Sequence, residues 1–326
     1  MAPHFYSVTT SEDSVEYYAD KIKGKVILTT GVHKGGLGGY FVEGVAKQKP
    51  KTLVLAGRDL AKVQKVADAI KETSPNVQVD LLQLDLSSQE QVRKAAAEVN
   101  AKYDKIDVLV NNAAVMSPAT FQTTKDGLEL QFGTNHIGHF LFTNLILNKI
   151  LAAGPGARVV TISSDGLRLS PIRWDDMNFS EGKTYNRWYA YGQSKTATNL
   201  FTVELAKRYG SKGLLAFNVH PGVIAESNLG RHNDWDAYGE MRSIDQKLGN
   251  HQGFEPYPYK SMSQGAATHI YAAFEPSLAA SNGAYLQDCG VPKQDDPEEV
   301  KPYAMDPKEA EKLWKYSEKV VGQTFD

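Results

Sequence analysis

Short apolar runs alternate along the chain with longer stretches in which apolar residues recur every three or four positions. Val26–Thr30, Leu53–Ala56, Val77–Leu84, Ile106–Val110, Arg158–Ile162 and Leu214–Val219 read as strands, with Ala284–Leu286 as a last one. Leu60–Ile70, Gln89–Ala101, Leu128–Leu151 and Tyr191–Arg208 carry helical spacing, the second of them opened by Ser87 or Ser88 as cap. Strands that alternate with helices imply βαβ units, a parallel sheet and right-handed crossovers. Several runs are apolar throughout, as in a sheet covered on both faces. The expectation is an α/β fold, a doubly wound parallel sheet in three α/β/α layers within a single domain, with ligands at the carboxyl ends of the strands.

Residues 25–290 hold this pattern, flanked by an N-terminal extension (1–24) and a C-terminal tail (291–326). Asp306-Pro307 followed by Glu309–Val321 predicts a helix in the tail, with Asp as cap and Pro in the first turn. Two stretches interrupt the pattern: 165–190, and the polar 225–262 with Trp235, Tyr238, Phe254, Tyr257 and Tyr259 interleaved. They are expected to wall and cover an apolar substrate pocket. The 326 residues carry 36 Lys and Arg against 38 Asp and Glu, so no global field draws in nucleic acid or an anionic membrane. The lone Cys289 excludes an internal disulfide and a Cys-rich metal site. His136 and His139 lack a third ligand at matching spacing, so packing is expected there and no metal. Phe140–Leu151 is too short to cross a bilayer, and the acidic first twenty residues do not read as a signal peptide. A cytoplasmic protein with a small-molecule partner is expected.

Gly31-Val32-His33-Lys34-Gly35-Gly36-Leu37-Gly38 follows the first strand and opens a helix. Glycines permit a tight turn and close approach of a pyrophosphate, and the helix N-terminus favours its charge. That placement is the dinucleotide signature of a Rossmann fold. An acidic residue usually follows about 20 positions on to bind a ribose 2′-hydroxyl. Here Ala56-Gly57-Arg58 stands in that place, and a guanidinium suits a 2′-phosphate, with Lys34 as a second cation. NADP(H) is therefore expected over NAD(H).

Tyr191 and Lys195 are four apart, one turn on one helix face. An ammonium beside a phenol is expected to lower the phenol pKa toward general acid–base work. Ser163-Ser164 ends one strand, and Asn111-Asn112-Ala113-Ala114 ends another. Asn135 in the long helix is suited to holding a water.

Taken with Asp85-Leu86, Thr134-Asn135-His136 and Asn218-Val219-His220-Pro221-Gly222, these collinear motifs over about residues 24–290 resemble a classical short-chain dehydrogenase/reductase. Trp174-Asp175-Asp176, Asn178-Phe179 and Ala190–Lys195 are similar to the retinol-dehydrogenase and WW-domain-oxidoreductase-like branch, which includes many reductases of fungal secondary metabolism. The resemblance implies that Tyr191 is the proton donor in carbonyl reduction. It implies that Lys195 binds the nicotinamide ribose, Ser164 orients the carbonyl and Asn135 supports a relay water. It also implies that Asp85, with Leu86, contacts the adenine, that Asn112 and Ala113 lie near the cofactor ribose, and that Pro221, Gly222 and Val223 border the nicotinamide. It further implies a homodimer through the helices at 128–151 and 191–208, unless the N-terminal extension covers that face.

The glycine loop is one residue longer than the family pattern and is expected to bulge; Ala114 stands where the family has Gly, and Ser227 near a usual Thr. The expected function is an NADP(H)-dependent oxidoreductase interconverting carbonyl and alcohol on a bulky hydrophobic substrate. The alternatives are an epimerase or cyclase on the same scaffold, or a non-catalytic nucleotide-binding regulator.

Overall fold

The computed structural model describes residues 5–326 except 231, 232, 254, 256 and 257, so Phe254 and Tyr257 lie outside the described residues. Seven strands form one sheet in the order β3-β2-β1-β4-β5-β6-β7. They are β1 (Val26–Thr30), β2 (Thr52–Gly57), β3 (Gln78–Gln83), β4 (Val108–Asn111), β5 (Arg158–Ile162), β6 (Leu215–His220) and β7 (Tyr285–Gln287). All pairings are parallel, with Leu28 of β1 set between Val54 and Leu109. β1, β2, β4 and β5 are buried at every position, which explains their unbroken apolar runs. This is the doubly wound Rossmann-like arrangement that the alternating pattern implies.

One face is covered by α1 (Ser11–Tyr17), α2 (Leu37–Ala46), α3 (Leu60–Thr73) and α8 (Met262–Phe274). Val15, Phe41, Val66 and Ile270 share one buried cluster there with Ile27 and Val110. The other face is covered by α4 (Gln89–Lys102), α5 (His139–Leu145), α6 (Arg187–Tyr209) and α9 (Pro307–Val321). Val92, Phe140, Phe201 and Trp314 pack there against Leu28 and Leu109. The remaining long helix, α7 (Trp235–Lys247), lies at the carboxyl end of the sheet against residues 186–191.

Three expectations are corrected. The continuous helix over 128–151 is instead a short turn at Leu130–Phe132, a π-helical stretch at Gly133–Gly138, α5, and a last segment at Leu147–Leu151. The wider π turn is where Asn135 reaches across to the main chain of Val115. The N-terminal extension does not cover the pair of helices expected to dimerise. It lies on the opposite face, where Ser11 bonds Ser263 and Tyr18 donates to Glu275 at 2.6 Å. The C-terminal helix covers that pair instead. Trp314, 1% exposed, packs on Phe140 and Phe201, with the Arg208 guanidinium 4.4 Å from its ring centroid. His136 bonds Ser317, and Tyr209 donates to the Asp326 carbonyl. Finally, Trp174 does not face a substrate pocket. Its indole N–H donates to Glu309 at 2.6 Å and its ring packs on Tyr316, because α9 offers the apolar surface it needs.

The tail also closes the sheet. The Gln294 side chain accepts from the Tyr285 amide at 2.8 Å and donates to the Tyr285 carbonyl at 3.0 Å, standing in for an eighth strand beside β7.

Candidate active site

β1 and β2 run in register to Thr30 and Ala56, so the segments that follow emerge side by side. The Val32 amide bonds the Ala56 carbonyl at 3.1 Å. Gly31 has φ of 72°, and a Cβ there would come within 2.6 Å of the Ala113 backbone, so only glycine fits. The extra loop residue is absorbed in a turn in which the Gly36 amide bonds the His33 carbonyl and Gly35 is left-handed, with φ of 78°. Gly36 then caps α2 with no side chain on its first amides, and Leu37, Gly38 and Gly39 follow. These features fit a pyrophosphate held by main-chain N–H groups and the helix end. Arg58 and Lys34 are exposed on the adjoining rim. The one carboxylate beside Arg58, Asp59, is committed as the cap of α3, accepting from the amides of Ala61 and Lys62.

Asn112 and Ala113 are fixed by Thr30. Both amides donate to its hydroxyl at 3.0 Å, and the Asn112 side-chain amide donates to its carbonyl at 2.9 Å. His139 also reaches the Thr30 hydroxyl, at 2.9 Å, and its other ring nitrogen lies 3.0 Å from the Asn135 carbonyl. The two histidines of the π turn and α5 thus serve packing, and the described residues hold no cluster fit for a metal ion. The Asp85 carboxylate turns back onto Ser87 and pairs with Lys125 at 3.5 Å, and Leu86 is buried beneath it. Those local bonds outweigh the opposing effect of burial and hold the Asp85 pKa below its ordinary value. Beyond β6, Pro221 and Gly222 lead into Val223, which pairs with Tyr259 and accepts from the Lys260 amide at 2.8 Å, while the Lys260 side chain lies against Gly222. Ser227 lies in the next turn, where its hydroxyl accepts from the Leu229 amide.

Ser164, at the carboxyl end of β5, stands beside Tyr191 of α6, and the Gly166 backbone is close to both side chains. Gly192 lets α6 approach: a Cβ there would fall 2.7 Å from the Ser170 amide. Lys195, 2% exposed, donates to the Ile162 carbonyl at 2.9 Å, 5.6 Å from the Tyr191 ring centroid. The Asn135 carboxamide bonds both main-chain groups of Val115 and reaches Ser194, so its main-chain carbonyl is the group left to face His139. The structure brings Ser164, Tyr191 and Lys195 to one point at the strand ends, with Asn135 one layer behind.

The expected lowering of the phenol pKa is not found in this pocket. Burial pushes the Tyr191 phenol well above its ordinary range, only partly opposed by the neighbouring Ser164 hydroxyl. Burial also pulls Lys195 down to about 7, which halves its charge near neutrality. An ammonium that is itself desolvated is a weak source of charge for its neighbour.

Around Tyr191 lie Leu169, Trp188, Ala237, Ile244, Met116 and Met241. From the polar stretch, α7 therefore presents a stripe at 237, 241 and 244 toward the site. Of the aromatics in that stretch, Trp235 and Tyr259 are exposed and Tyr238 packs on Trp188. Asp165, Arg168 and Asp245 have no motif that marks them in the sequence, and His220 enters only as part of the 218–222 motif, yet the four meet beside Ser164. Arg168 binds Asp245 of α7 and Asp165, while the Asp165 amide donates to His220. These contacts join segments far apart in sequence, which no spacing reveals.

Comparison with known proteins matches these features. The short chain dehydrogenase family profile covers residues 25–174. The chain is 38% identical over 312 residues to the short-chain dehydrogenase/reductase prx1 of Penicillium rubens, covering 93% of this chain and 86% of that one. It is 35% identical over 302 residues to mouse retinol dehydrogenase 12, covering 93% and 88%. A solved structure from Mycobacterium paratuberculosis superposes with a TM-score of 0.67 at 28% identity, covering 94% of this chain and 98% of that one. With its parallel sheet, its glycine turn and the Ser164–Tyr191–Lys195 cluster, this chain belongs to the short-chain dehydrogenase/reductase family, on its retinol-dehydrogenase branch.

Proposed function

We propose that the protein is an NADP(H)-dependent oxidoreductase that interconverts a carbonyl and an alcohol on a bulky hydrophobic substrate. The observation that carries this reading is the Tyr191 phenol, 5% exposed and beside Ser164, set under the apolar stripe of α7 with Lys195 one turn away. Family membership brings a nicotinamide cofactor, which supplies or accepts the hydride when bound. Gly31, Gly36, Leu37 and Gly38 would hold its pyrophosphate, Asp85 and Leu86 its adenine, and Asn112, Ala113 and Lys195 its ribose. Pro221, Gly222 and Val223 would border its nicotinamide, and Arg58 with Lys34 would pair with a 2′-phosphate.

In reduction, Ser164 donates a hydrogen bond to the substrate oxygen and Tyr191 delivers the proton that neutralises the developing alkoxide. Lys195, in its charged form, stabilises the phenolate left behind. Asn135 keeps the Val115 loop in place beneath the site. The apolar wall formed by Ala237, Met241, Ile244 and Trp188 excludes water and favours large apolar carbonyl compounds of the kind made in secondary metabolism. Among the described residues no helix is long and apolar enough to cross a membrane. The reading places the enzyme in the cytoplasm, acting as a monomer with α9 over the helix pair.

Titration with NADPH and with NADH, followed by nicotinamide fluorescence, tests the cofactor assignment. NADPH is expected to bind at least tenfold more tightly, and Arg58→Ala to remove most of that preference. Equal affinity for both nucleotides in the wild type would refute the assignment.

A further inference from the structure

The segment after Ser164 contains an almost completely buried ion network. The Arg168 side chain is 3% exposed and that of Asp245 is 0% exposed. The Arg168 Nε lies 2.9 and 3.0 Å from the two Asp245 oxygens, and its Nη2 lies 2.6 Å from one of them. Its Nη1 pairs with Asp165 Oδ2 at 2.6 Å. Asp165 Oδ1 accepts from the Ser164 hydroxyl at 3.2 Å, and the Ser164 oxygen in turn accepts from the Gly166 amide. Asn250, just past α7, donates to both Asp245 Oδ1 and the Arg168 carbonyl. One guanidinium therefore spans the distance from the covering helix to the neighbour of the site serine.

Burying one cation between two carboxylates is costly unless every partner is in place, so such a cluster fixes one geometry. Two independent contacts bind α7 to the element that carries Tyr191: Trp188 Nε1 donates to the Ala237 carbonyl, and Arg187 pairs with Glu240. The covering helix thus holds both arms of the site. A hydroxyl has one proton, and here the Ser164 proton is directed at Asp165. The pairing of Asp165 with Arg168 draws on the same carboxylate and makes it a weaker acceptor, which frees that proton for a substrate oxygen.

We propose that Arg168 is a positioning residue, which couples docking of α7 through Asp245 to the orientation of Ser164 through Asp165. Seating the helix over the substrate and aiming the serine are then one event. The claim about the serine rests on the carbonyl–alcohol reading above; the claim about the helix does not.

Two variants and two readouts test it. Hydrogen exchange of amides 235–250 is measured in the wild type, Asp245→Asn and Asp165→Asn. Exchange is expected to accelerate at least fivefold in both, although Asp165 is not among the partners that hold α7 directly. Wild-type exchange in Asp165→Asn would overturn the coupling, and Asp165, a quarter exposed, leaves that arm valid should Asp245→Asn fail to fold. NADPH-driven reduction of all-trans-retinal is the kinetic probe. Each variant is expected to lower kcat about tenfold with the KM for NADPH within twofold, and neither to add a further loss on a Ser164→Ala background. Additive losses on that background would mean a purely structural role and would overturn the serine claim. A wild type that leaves retinal and a panel of bulky ketones unreduced would defeat the carbonyl reading, while the exchange result still decides the coupling.

Discussion

Acid is expected to unfold this protein earlier than its carboxylates alone would dictate, because three histidines are sealed in its core. Burial pushes His136 to about 3, and His139 and His269 to about 4, from an ordinary 6.5. Over that interval the unfolded chain binds protons that the folded chain refuses, so stability falls as pH falls through 6.5. Between pH 7 and 5.5 each ring costs a little over about 1 kcal/mol, or about 4 kcal/mol for the three. Glu129 works the other way. Burial raises its carboxyl to about 7, so the folded chain takes up a proton first. That contributes about 1 to 2 kcal/mol of added stability over the same interval. Lys195, at about 7, adds a further cost of less than about 1 kcal/mol. The net loss is about 2 to 3 kcal/mol, a large part of the 5 to 15 kcal/mol typical of folded proteins. Urea unfolding followed by tryptophan fluorescence at pH 7.0 and pH 5.5 reads it directly. Glu129→Gln should deepen the acid loss to about 4 kcal/mol, whereas replacing His269 should reduce the wild-type loss by about half. A wild-type change below about 1 kcal/mol would refute the reasoning.

Two further outcomes follow from the same geometry. Tyr191→Phe should bind NADPH within about twofold of wild type yet lose carbonyl reduction by a factor of about 100 or more, since proton transfer by a positioned side chain is worth that much; near-normal turnover would remove Tyr191 from its role. Trp314→Ala should cost about 3 to 5 kcal/mol by thermal or urea denaturation, because the ring is buried among Phe140, Phe201 and Tyr209.

What the sequence discloses depends on whether a feature is local. β1 is legible to the residue because five buried apolar or β-branched positions end at a glycine. The Asp306 cap and Pro307 mark the start of α9 for the same reason. α8 carries a quieter local signal, for Ser261 and Gln264 form a capping box at the head of an alanine-rich run. α7 was hidden because its aromatics draw the eye. Trp235 stands two residues off the stripe at 237, 241 and 244, so helical phase and not residue size decides what faces Tyr191. Ser164, Tyr191 and Lys195 stand out because strand ends and one-turn spacing are local facts. The rise of the phenol pKa is not local, for it depends on how completely α6 and α7 are packed. Nor is the Arg168–Asp245 pair, whose partners are 77 residues apart.

The C-terminal tail carries a consequence of its own. Gln294 satisfies the backbone at the edge of the sheet, and Trp314 fills the hollow between α5 and α6. A second subunit could offer such surfaces only by association, whose strength declines with dilution. Here both are tethered to the chain they cover, and a tether fixes a local concentration that dilution does not change. The edge and the hollow are therefore capped to the same degree at nanomolar and at millimolar protein.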